Sequence, residues 1–239
     1  MPVNPSIAAV LAQVDAHPAP RVIDNEAEVL REVSRRMGAG FALPEPIEVG
    51  SVEGGAVPGP AGRMPVRVYR PAGGGPVPTV VFFHGGGRLT GDLDTHDDVA
   101  RRMCREVNAA VVAVGYRPAP EHPFPAAYDD CPAAAHHVAD HIDGFGGRRD
   151  RFADVLELQH LYTGDDPAVR ASFRVSPLRA GKLTGLAPAV IGTAQYDPLR
   201  DEGARTYEGL IHTFLDLFPV SPAADAAVTE PYARLKRLG

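Results

Sequence analysis

TVVFFHGGG, residues 79–87, joins an apolar run of strand type to a histidine and three consecutive glycines. The run is almost continuous in apolar residues, which is typical of a strand buried on both faces of a parallel sheet. A second such run, AAVVAVGY, follows at 109–116, and Val99, Met103 and Val107 recur at helical spacing between the two. Strand, glycine turn, helix and strand in this order predict a βαβ unit within an α/β domain.

Helices and a hairpin are predicted before this unit. Apolar residues at helical spacing predict short amphipathic helices over residues 5–16 and from Asp24 or Asn25 onward. Gly38 and Gly40 are expected to end the second helix. The following candidate strands look like a hairpin joined through a glycine- and proline-rich stretch, with strands at 47–53 and 64–70 and the connection at 54–62.

Further elements are predicted within and after the βαβ unit. Thr95 and Asp98 have the spacing of a capping box that opens the helix between the two strands. A later helix is expected at about 126–141; Pro132 lies within it, so that this helix either accommodates the proline or starts after it. Two more strand segments are expected, one opening at 151–155 and one at 187–194.

Composition excludes several classes of protein. The chain has 239 residues, a net charge of −6 and no block of basic residues, so nucleic acid is not an expected partner. Cys104 and Cys131 are too few for a disulfide framework, and neither lies in a metal-binding pair. The N-terminus does not resemble a signal peptide, and no apolar run has membrane-spanning length. These features predict a soluble, cytoplasmic protein.

The glycines after the first strand suit one kind of chemistry. A carbonyl under nucleophilic attack develops negative charge on its oxygen, and two preorganised backbone N–H groups stabilise that charge. Residues that bring their backbone this close to a substrate cannot carry bulky side chains, and open α/β sheets bind ligands at this edge. The alternative is a glycine turn that only links strand to helix. The preceding His84 favours an oxyanion hole.

Five blocks of the sequence together resemble the hormone-sensitive-lipase branch of the α/β-hydrolases. They occur in the family's order over roughly residues 80–215: HGGG, GDLDTHDD, YRPAPEHPFPAAYDD, SPLRAGKLTGLAPAVIGTAQYDPLRDEG and GLIHTFL. The resemblance implies an α/β-hydrolase-like fold with a mostly parallel central sheet flanked by helices. It also implies an N-terminal helical cap, here residues 1–44, on a hydrolase core, here residues 45–239.

The resemblance implies hydrolysis of carboxylic esters by a Ser-His-Asp triad without any cofactor. Gly85 and Gly86 match the oxyanion donors, Asp197 matches the triad acid and His212 matches the general base. By themselves, Asp197 could equally be a helix N-cap and His212 an ordinary loop histidine. The expected partner is a small-molecule ester, and because members of this family often form dimers, a homodimer is among the expected states.

The nucleophile is missing from the sequence. No Gly-x-Ser-x-Gly occurs, and none of the serines has flanking glycines on a strand–turn–helix; they are Ser6, Ser34, Ser51, Ser172, Ser176 and Ser221. The family's nucleophile turn belongs after DRFADV, residues 150–155, where the chain instead continues towards Ser172 and Ser176. No nucleophile is therefore assigned.

The spacing near the end of the chain indicates a second deficit. Asp197 and His212 should follow successive parallel strands, which need a crossover of about a dozen residues or more plus a strand. The residues between them are too few for both elements. Two explanations remain open: the sequence omits internal segments, or the protein lacks them. The predicted sheet is therefore incomplete.

Two functional hypotheses follow. The first is an esterase or lipase-like hydrolase of short- to medium-chain acyl esters. The second is a non-catalytic or truncated hydrolase-fold protein that keeps the pocket and binds a small molecule. Metal chemistry is not expected, because His137 and His141 share a helix face without a third ligand at a recognisable spacing. No nucleotide-binding glycine motif occurs either.

Overall fold

The computed structural model describes residues 2–16, 26–156, 193–196 and 206–238. These ranges contain the helices α1 to α5 and the strands β1 to β7. In chain order they are α1 (Pro5–Ala16), α2 (Ala27–Phe41), β1 (Ser51–Gly59), β2 (Gly62–Arg70), β3 (Val77–Phe83), α3 (Asp97–Val107), β4 (Ala110–Val114), α4 (Ala126–Asp140), β5 (Gly147–Leu156), β6 (Thr193–Tyr196), β7 (Thr206–Ile211) and α5 (Pro222–Leu238). Short 3-10 helices lie at Ile142–Phe145 and Phe214–Leu217.

The strands of the described residues form two sheets. The larger has the order β1-β2-β4-β3-β5, with β3 parallel to both of its neighbours and the β1–β2 hairpin joined antiparallel to β4. The smaller pairs β6 with β7 in parallel. The predicted βαβ unit is confirmed as β3–α3–β4. The predicted hairpin is present, but its predicted bounds are wrong: residues 54–59, expected in the connection, belong to β1, and the turn is at residues 60–61.

Side chains of the central strands alternate between two hydrophobic clusters. From β3, Val80 and Phe82 face the cluster that includes α1, α3 and α5, whereas Val81 and Phe83 face the cluster that includes α4 and the hairpin. Burying one side chain of this size, compared with leaving it exposed to water, stabilises the folded state by roughly 1.5–3 kcal/mol. The sheet is therefore covered on both faces, as the apolar runs predict.

The N-terminal helices take different positions. Helix α1 packs against α5 and β7, and its Ile7 and Val10 belong to the main core. Helix α2 lies against the loops that follow β3 and β4, through contacts described below. The division into a cap at 1–44 and a core at 45–239 stays a prediction. In the described part of the chain, no helix combines the length and apolar character needed to cross a membrane.

Two predicted helix boundaries are wrong. Helix α2 continues through Gly38 and Gly40 to Phe41, which packs against the main hydrophobic cluster. Helix α3 begins at Asp97 without a capping box. The Thr95 hydroxyl instead accepts from the Asp92 amide at 2.8 Å, in the loop preceding α3.

Helix α4 accommodates Pro132 rather than starting after it. Ala127, Ala134 and Val138 are fully buried on its inner face. This burial keeps the helix intact although an interior proline costs about 3 kcal/mol.

The structure also bears on the prediction that too few residues lie between Asp197 and His212 for a crossover and a strand. Strand β7 is present directly before His212, and residues 197–205 alone connect it to its parallel neighbour β6. Of the two elements expected not to fit together, the strand is present as β7, and residues 197–205 are fewer than the usual parallel crossover of about a dozen residues. A register shift between Ala194 and Tyr196 accompanies this pairing.

An ion pair fixes the loop after β4. The fully buried carboxylate of Asp130 on α4 accepts from Arg117 Nη2 at 2.8 Å, from Nε at 2.9 Å and from the Arg117 amide at 3.0 Å.

We expect Asp130→Asn to lower the free energy of unfolding by about 1.5–3 kcal/mol, since hydrogen bonds to charged groups have this value. Urea unfolding checks this against Asp129→Asn, a neighbouring change that leaves the Arg117 contacts intact. Equal stability of Asp130→Asn and the unchanged protein would contradict it.

Candidate active site

The glycine turn, residues 84–91, follows the carboxyl end of β3. His84 is buried and begins the turn, and three successive residues then have left-handed backbone angles: φ is +106° at Gly86, +63° at Gly87 and +58° at Arg88. Glycine adopts this region without the steric cost that other residues carry. The chain can therefore reverse direction tightly at the sheet edge, which is where ligands bind in open α/β sheets.

Each carbonyl in the first half of the turn has a donor. The Tyr116 hydroxyl donates to His84 O at 2.7 Å, and His84 Nδ1 lies 2.8 Å from Gly85 O. The amides of Leu89 and Thr90 donate to Gly86 O at 3.1 and 2.9 Å. The three carbonyl groups are thus held towards the protein.

The anchored carbonyls determine where the glycine amides point. In a planar trans peptide, the N–H of the next residue points opposite to the carbonyl. The N–H groups of Gly85, Gly86 and Gly87 therefore face away from the anchoring groups, and among the described residues none of the three has an acceptor. Free, fixed amide donors at a sheet edge are what an oxyanion hole requires.

Close backbone contacts explain why glycine occupies two of these positions. A Cβ added at Gly86 would lie 2.1 Å from Thr90 O. A Cβ added at Gly91, where φ is +78°, would lie 2.4 Å from Gly85 O. Both contacts are far shorter than van der Waals distance and involve backbone atoms that cannot move aside.

Two buried histidines lie beneath the turn. The ring of His84 stacks on Tyr116 at a centroid distance of 4.4 Å and lies 5.3 Å from the ring of His96. Burial lowers the pKa of His84 to about 4 and also lowers the pKa of His96. Both imidazoles are therefore neutral at pH 7. His84 serves as a structural support of the turn.

The buried His84 predicts a dependence of stability on pH. The folded state keeps His84 neutral down to pH 4, whereas the unfolded chain protonates it below about 6.5. The unfolded state thus binds the extra proton, and stability is complete above pH 6.5 and lost as the pH falls towards 4. The loss from this residue is about 3 kcal/mol. Denaturant unfolding at pH 7 and pH 4.5 should show a weaker pH dependence in His84→Gln than in the unchanged protein or His136→Gln. Parallel profiles would refute this.

His212 lies on the turn directly after β7 and is half-buried. Thr213 follows with a left-handed φ of +63°, and the next 3-10 helix contains Asp216. Asp216 Oδ1 lies 3.9 Å from His96 Nε2. Burial raises the pKa of the Asp216 carboxyl, and the charge of nearby His212 opposes that rise. The 3-10 helix that follows the His212 turn therefore lies close to His96 beneath the glycine turn.

The other predicted site residues have different outcomes. Asp197 lies outside the described residues, as do Ser172 and Ser176. His137 and His141 stack at 4.2 Å, but within the described ranges no group of three or more potential metal ligands comes together.

Sequence reasoning missed the residues that support the turn. Tyr116, Thr90 and the N–H of Gly87 belong to the arrangement, although the sequence assigned them no role in it. Tyr116 is 32 residues from the carbonyl that it holds. A polar tyrosine ending an otherwise apolar strand was the one available signal, since buried tyrosine hydroxyls need a partner.

A βαβ unit whose first strand ends in an anchored glycine turn, with a histidine turn packed nearby, defines an α/β-hydrolase type of protein. The chain belongs to the family described as having the alpha/beta hydrolase fold, whose profile matches residues 80–154 and 149–213. The family resemblance predicted from the sequence is confirmed.

Individual relatives agree with this assignment. The carboxylic ester hydrolase LipN of Mycobacterium tuberculosis is 34% identical over an alignment of 261 positions that covers 76% of this chain and 69% of LipN. Esterase LipI of the same organism is 31% identical over an alignment of 309 positions that covers 98% of this chain and 95% of LipI. The structure of a hyperthermophilic esterase from Pyrobaculum calidifontis matches with a TM-score of 0.90 at 28% identity, covering 100% of this chain and 99% of that one.

The alignment with LipI contains gaps in this chain. It extends over 309 positions, whereas this chain has 239 residues, so at least 70 aligned positions of LipI face a gap in this chain. The family profile matches this chain in two parts, which overlap at residues 149–154. This is where the nucleophile turn is expected and not found.

Proposed function

We propose that this fold serves the hydrolysis of carboxylic esters with short- to medium-chain acyl groups. The observation that carries the proposal is the set of fixed amide N–H groups at Gly85, Gly86 and Gly87. Each of these N–H groups belongs to a peptide whose carbonyl oxygen is held by a hydrogen bond. Relatives named as carboxylic ester hydrolases and esterases support the same substrate class.

In the proposed mechanism, His212 is the general base. It removes the proton of a serine hydroxyl as the serine oxygen forms a bond to the ester carbonyl carbon. The amides of Gly85 and Gly86 stabilise the negative charge on the carbonyl oxygen. When the tetrahedral intermediate collapses, the bond to the alcohol oxygen breaks and His212 returns the proton to that alcohol. Water then releases the acid by the same steps, and Asp197 orients the imidazole and stabilises its cation.

The serine in this scheme would belong to a segment that is absent from the 239 residues of this chain. The missing nucleophile motif favours a second candidate function. None of the 239 residues lies in a Gly-x-Ser-x-Gly sequence. The chain would then keep the fixed amide donors of the glycine turn and bind its ligand without turning it over.

Mass spectrometry and active-site labelling separate the two candidates. For a hydrolase, we expect an intact mass well above 25.3 kDa, labelling by a fluorophosphonate and turnover of p-nitrophenyl esters. A mass near 25.3 kDa with neither label nor turnover would overturn ester hydrolysis and favour the binding protein. Saturable binding of a p-nitrophenyl ester without turnover would then be the result that the second candidate predicts.

A further inference from the structure

Arg31 is an unusually well-bonded side chain on α2. Its side chain as a whole is only 14% exposed. Nε donates to Leu89 O at 2.9 Å and Nη2 donates to Ala119 O at 2.7 Å. One side chain thus binds the backbone of two loops that are distant in sequence, the glycine turn after β3 and the loop after β4.

A carboxylate completes the coordination of this guanidinium. Glu121 accepts from Nη1 at 2.8 Å and from Nη2 at 2.6 Å. The Glu121 side chain is 53% exposed, and exposed ion pairs contribute little. The two carbonyl contacts are more sheltered, and they connect α2 to the loops.

The residues held by Arg31 in turn hold the glycine turn. Leu89, whose carbonyl binds Arg31, donates its own amide to Gly86 O at 3.1 Å. Ala119, whose carbonyl also binds Arg31, donates its amide to Arg88 O at 2.8 Å. Two short hydrogen-bonded routes therefore lead from α2 to the glycine turn, one to the Gly86–Gly87 peptide group and one to the Arg88–Leu89 peptide group.

We propose that Arg31 is a positioning residue that couples α2 to the glycine turn and fixes the Gly86–Gly87 peptide, and with it the direction of the Gly87 amide. The inference rests on the proposed function for its catalytic meaning, since the Gly87 amide belongs to the set of fixed N–H groups that carries that function and adjoins the proposed donors Gly85 and Gly86. Helix α2 then does more than pack against the loops, because the glycine turn is fully held only while α2 is docked.

The guanidinium group is suited to this role by its geometry. Arginine presents several N–H groups in one rigid plane, so a single side chain can serve two carbonyls and a carboxylate at once. Lysine has one nitrogen at the end of a flexible stem. Arg35, one turn further along α2, also reaches the glycine-turn region through Asp92 at 3.1 Å, but it is 47% exposed and contacts no backbone carbonyl of the turn.

Amide hydrogen exchange tests the coupling in the intact chain. Arg31→Met removes the charged donors and keeps most of the aliphatic stem, and Arg36→Met is the matched control at an exposed position of the same helix. We expect Arg31→Met to lower protection of the Leu89 and Thr90 amides at least about tenfold, as the loss of a hydrogen bond to a charged group implies. Protection of Val112 in β4 should stay unchanged, as should all three amides in Arg36→Met.

Three results would overturn the coupling. One is unchanged protection of Leu89 and Thr90 in Arg31→Met. Another is an equal fall at Val112, which would make Arg31 a general contributor to stability. The third is an equal effect in Glu121→Gln, which would assign the effect to the exposed ion pair and not to the carbonyl contacts.

Binding of an alkylphosphonate, a tetrahedral anion, separates this inference from the proposed function. We expect the unchanged protein and Arg36→Met to bind it equally and Arg31→Met to bind it more weakly. If the unchanged protein does not bind the phosphonate while exchange responds as described, ester hydrolysis is overturned and the coupling stands. If the phosphonate binds equally to all three proteins, the coupling is overturned and the proposed function stands.

Discussion

Replacing His212 by alanine is expected to lower kcat/KM for p-nitrophenyl esters by about 100- to 10,000-fold, the usual contribution of a positioned general base. The substitution removes the only group assigned to proton transfer. His212 lies half-buried on a turn, outside the two hydrophobic clusters of the described core, so its loss should leave the fold intact.

The matched control is His136→Ala, because His136 is an exposed histidine on α4. We expect His136→Ala to retain the full rate and both variants to unfold within a few degrees of the unchanged protein. Residual turnover in His212→Ala equal to that of the control would remove His212 from the mechanism. A large fall in the unfolding temperature of His212→Ala would instead assign it a structural role.

Gly86→Ala is expected to lower the free energy of unfolding by roughly 3–5 kcal/mol, from strain at a left-handed backbone angle together with overpacking. The new Cβ would meet Thr90 O at 2.1 Å, and Thr90 donates its amide to the Gly86 carbonyl. The turn can relieve the contact only by breaking the hydrogen bonds that hold the Gly86 carbonyl. Phosphonate binding should be lost together with the stability.

Gly54→Ala is the control for this change. Gly54 lies in β1 with nothing within 4 Å of an added Cβ and no left-handed angle, so its substitution should alter stability by no more than about 0.5 kcal/mol. Urea unfolding of the two variants measures the difference. Comparable stability of Gly86→Ala and Gly54→Ala would show that the turn is not constrained as described.

Local patterns in the sequence were sufficient for the central unit of the fold. The runs at 79–84 and 109–116 predict β3 and β4 because a strand buried on both faces must be apolar at every position. Helix α1 was predicted with its observed bounds, since its apolar spacing is regular. The end of α2 was not predictable, because packing of Phe41 against the main hydrophobic cluster overrides the low helix propensity of the preceding glycines.

The candidate site was predictable only in part, for a physical reason. The glycines are recognisable because their backbone must approach other atoms closely, and that requirement restricts the residue type. The groups that orient them come from distant segments. Tyr116 lies just after β4, and Arg31 lies in α2, 58 residues before Leu89, whose carbonyl it binds. Such partners follow from tertiary packing and have no local pattern. Asp197 lies outside the described residues, and its role stays a prediction.

A crystal structure with a bound alkylphosphonate tests the convergence of the glycine amides and His212 most directly, because this anion needs no serine to bind. We expect one phosphonate oxygen to lie about 2.7–3.1 Å from the amides of Gly85 and Gly86, with the His212 imidazole within hydrogen-bonding distance of another oxygen. An anion bound elsewhere, or an imidazole turned away from an anion held by the glycine amides, would contradict the account.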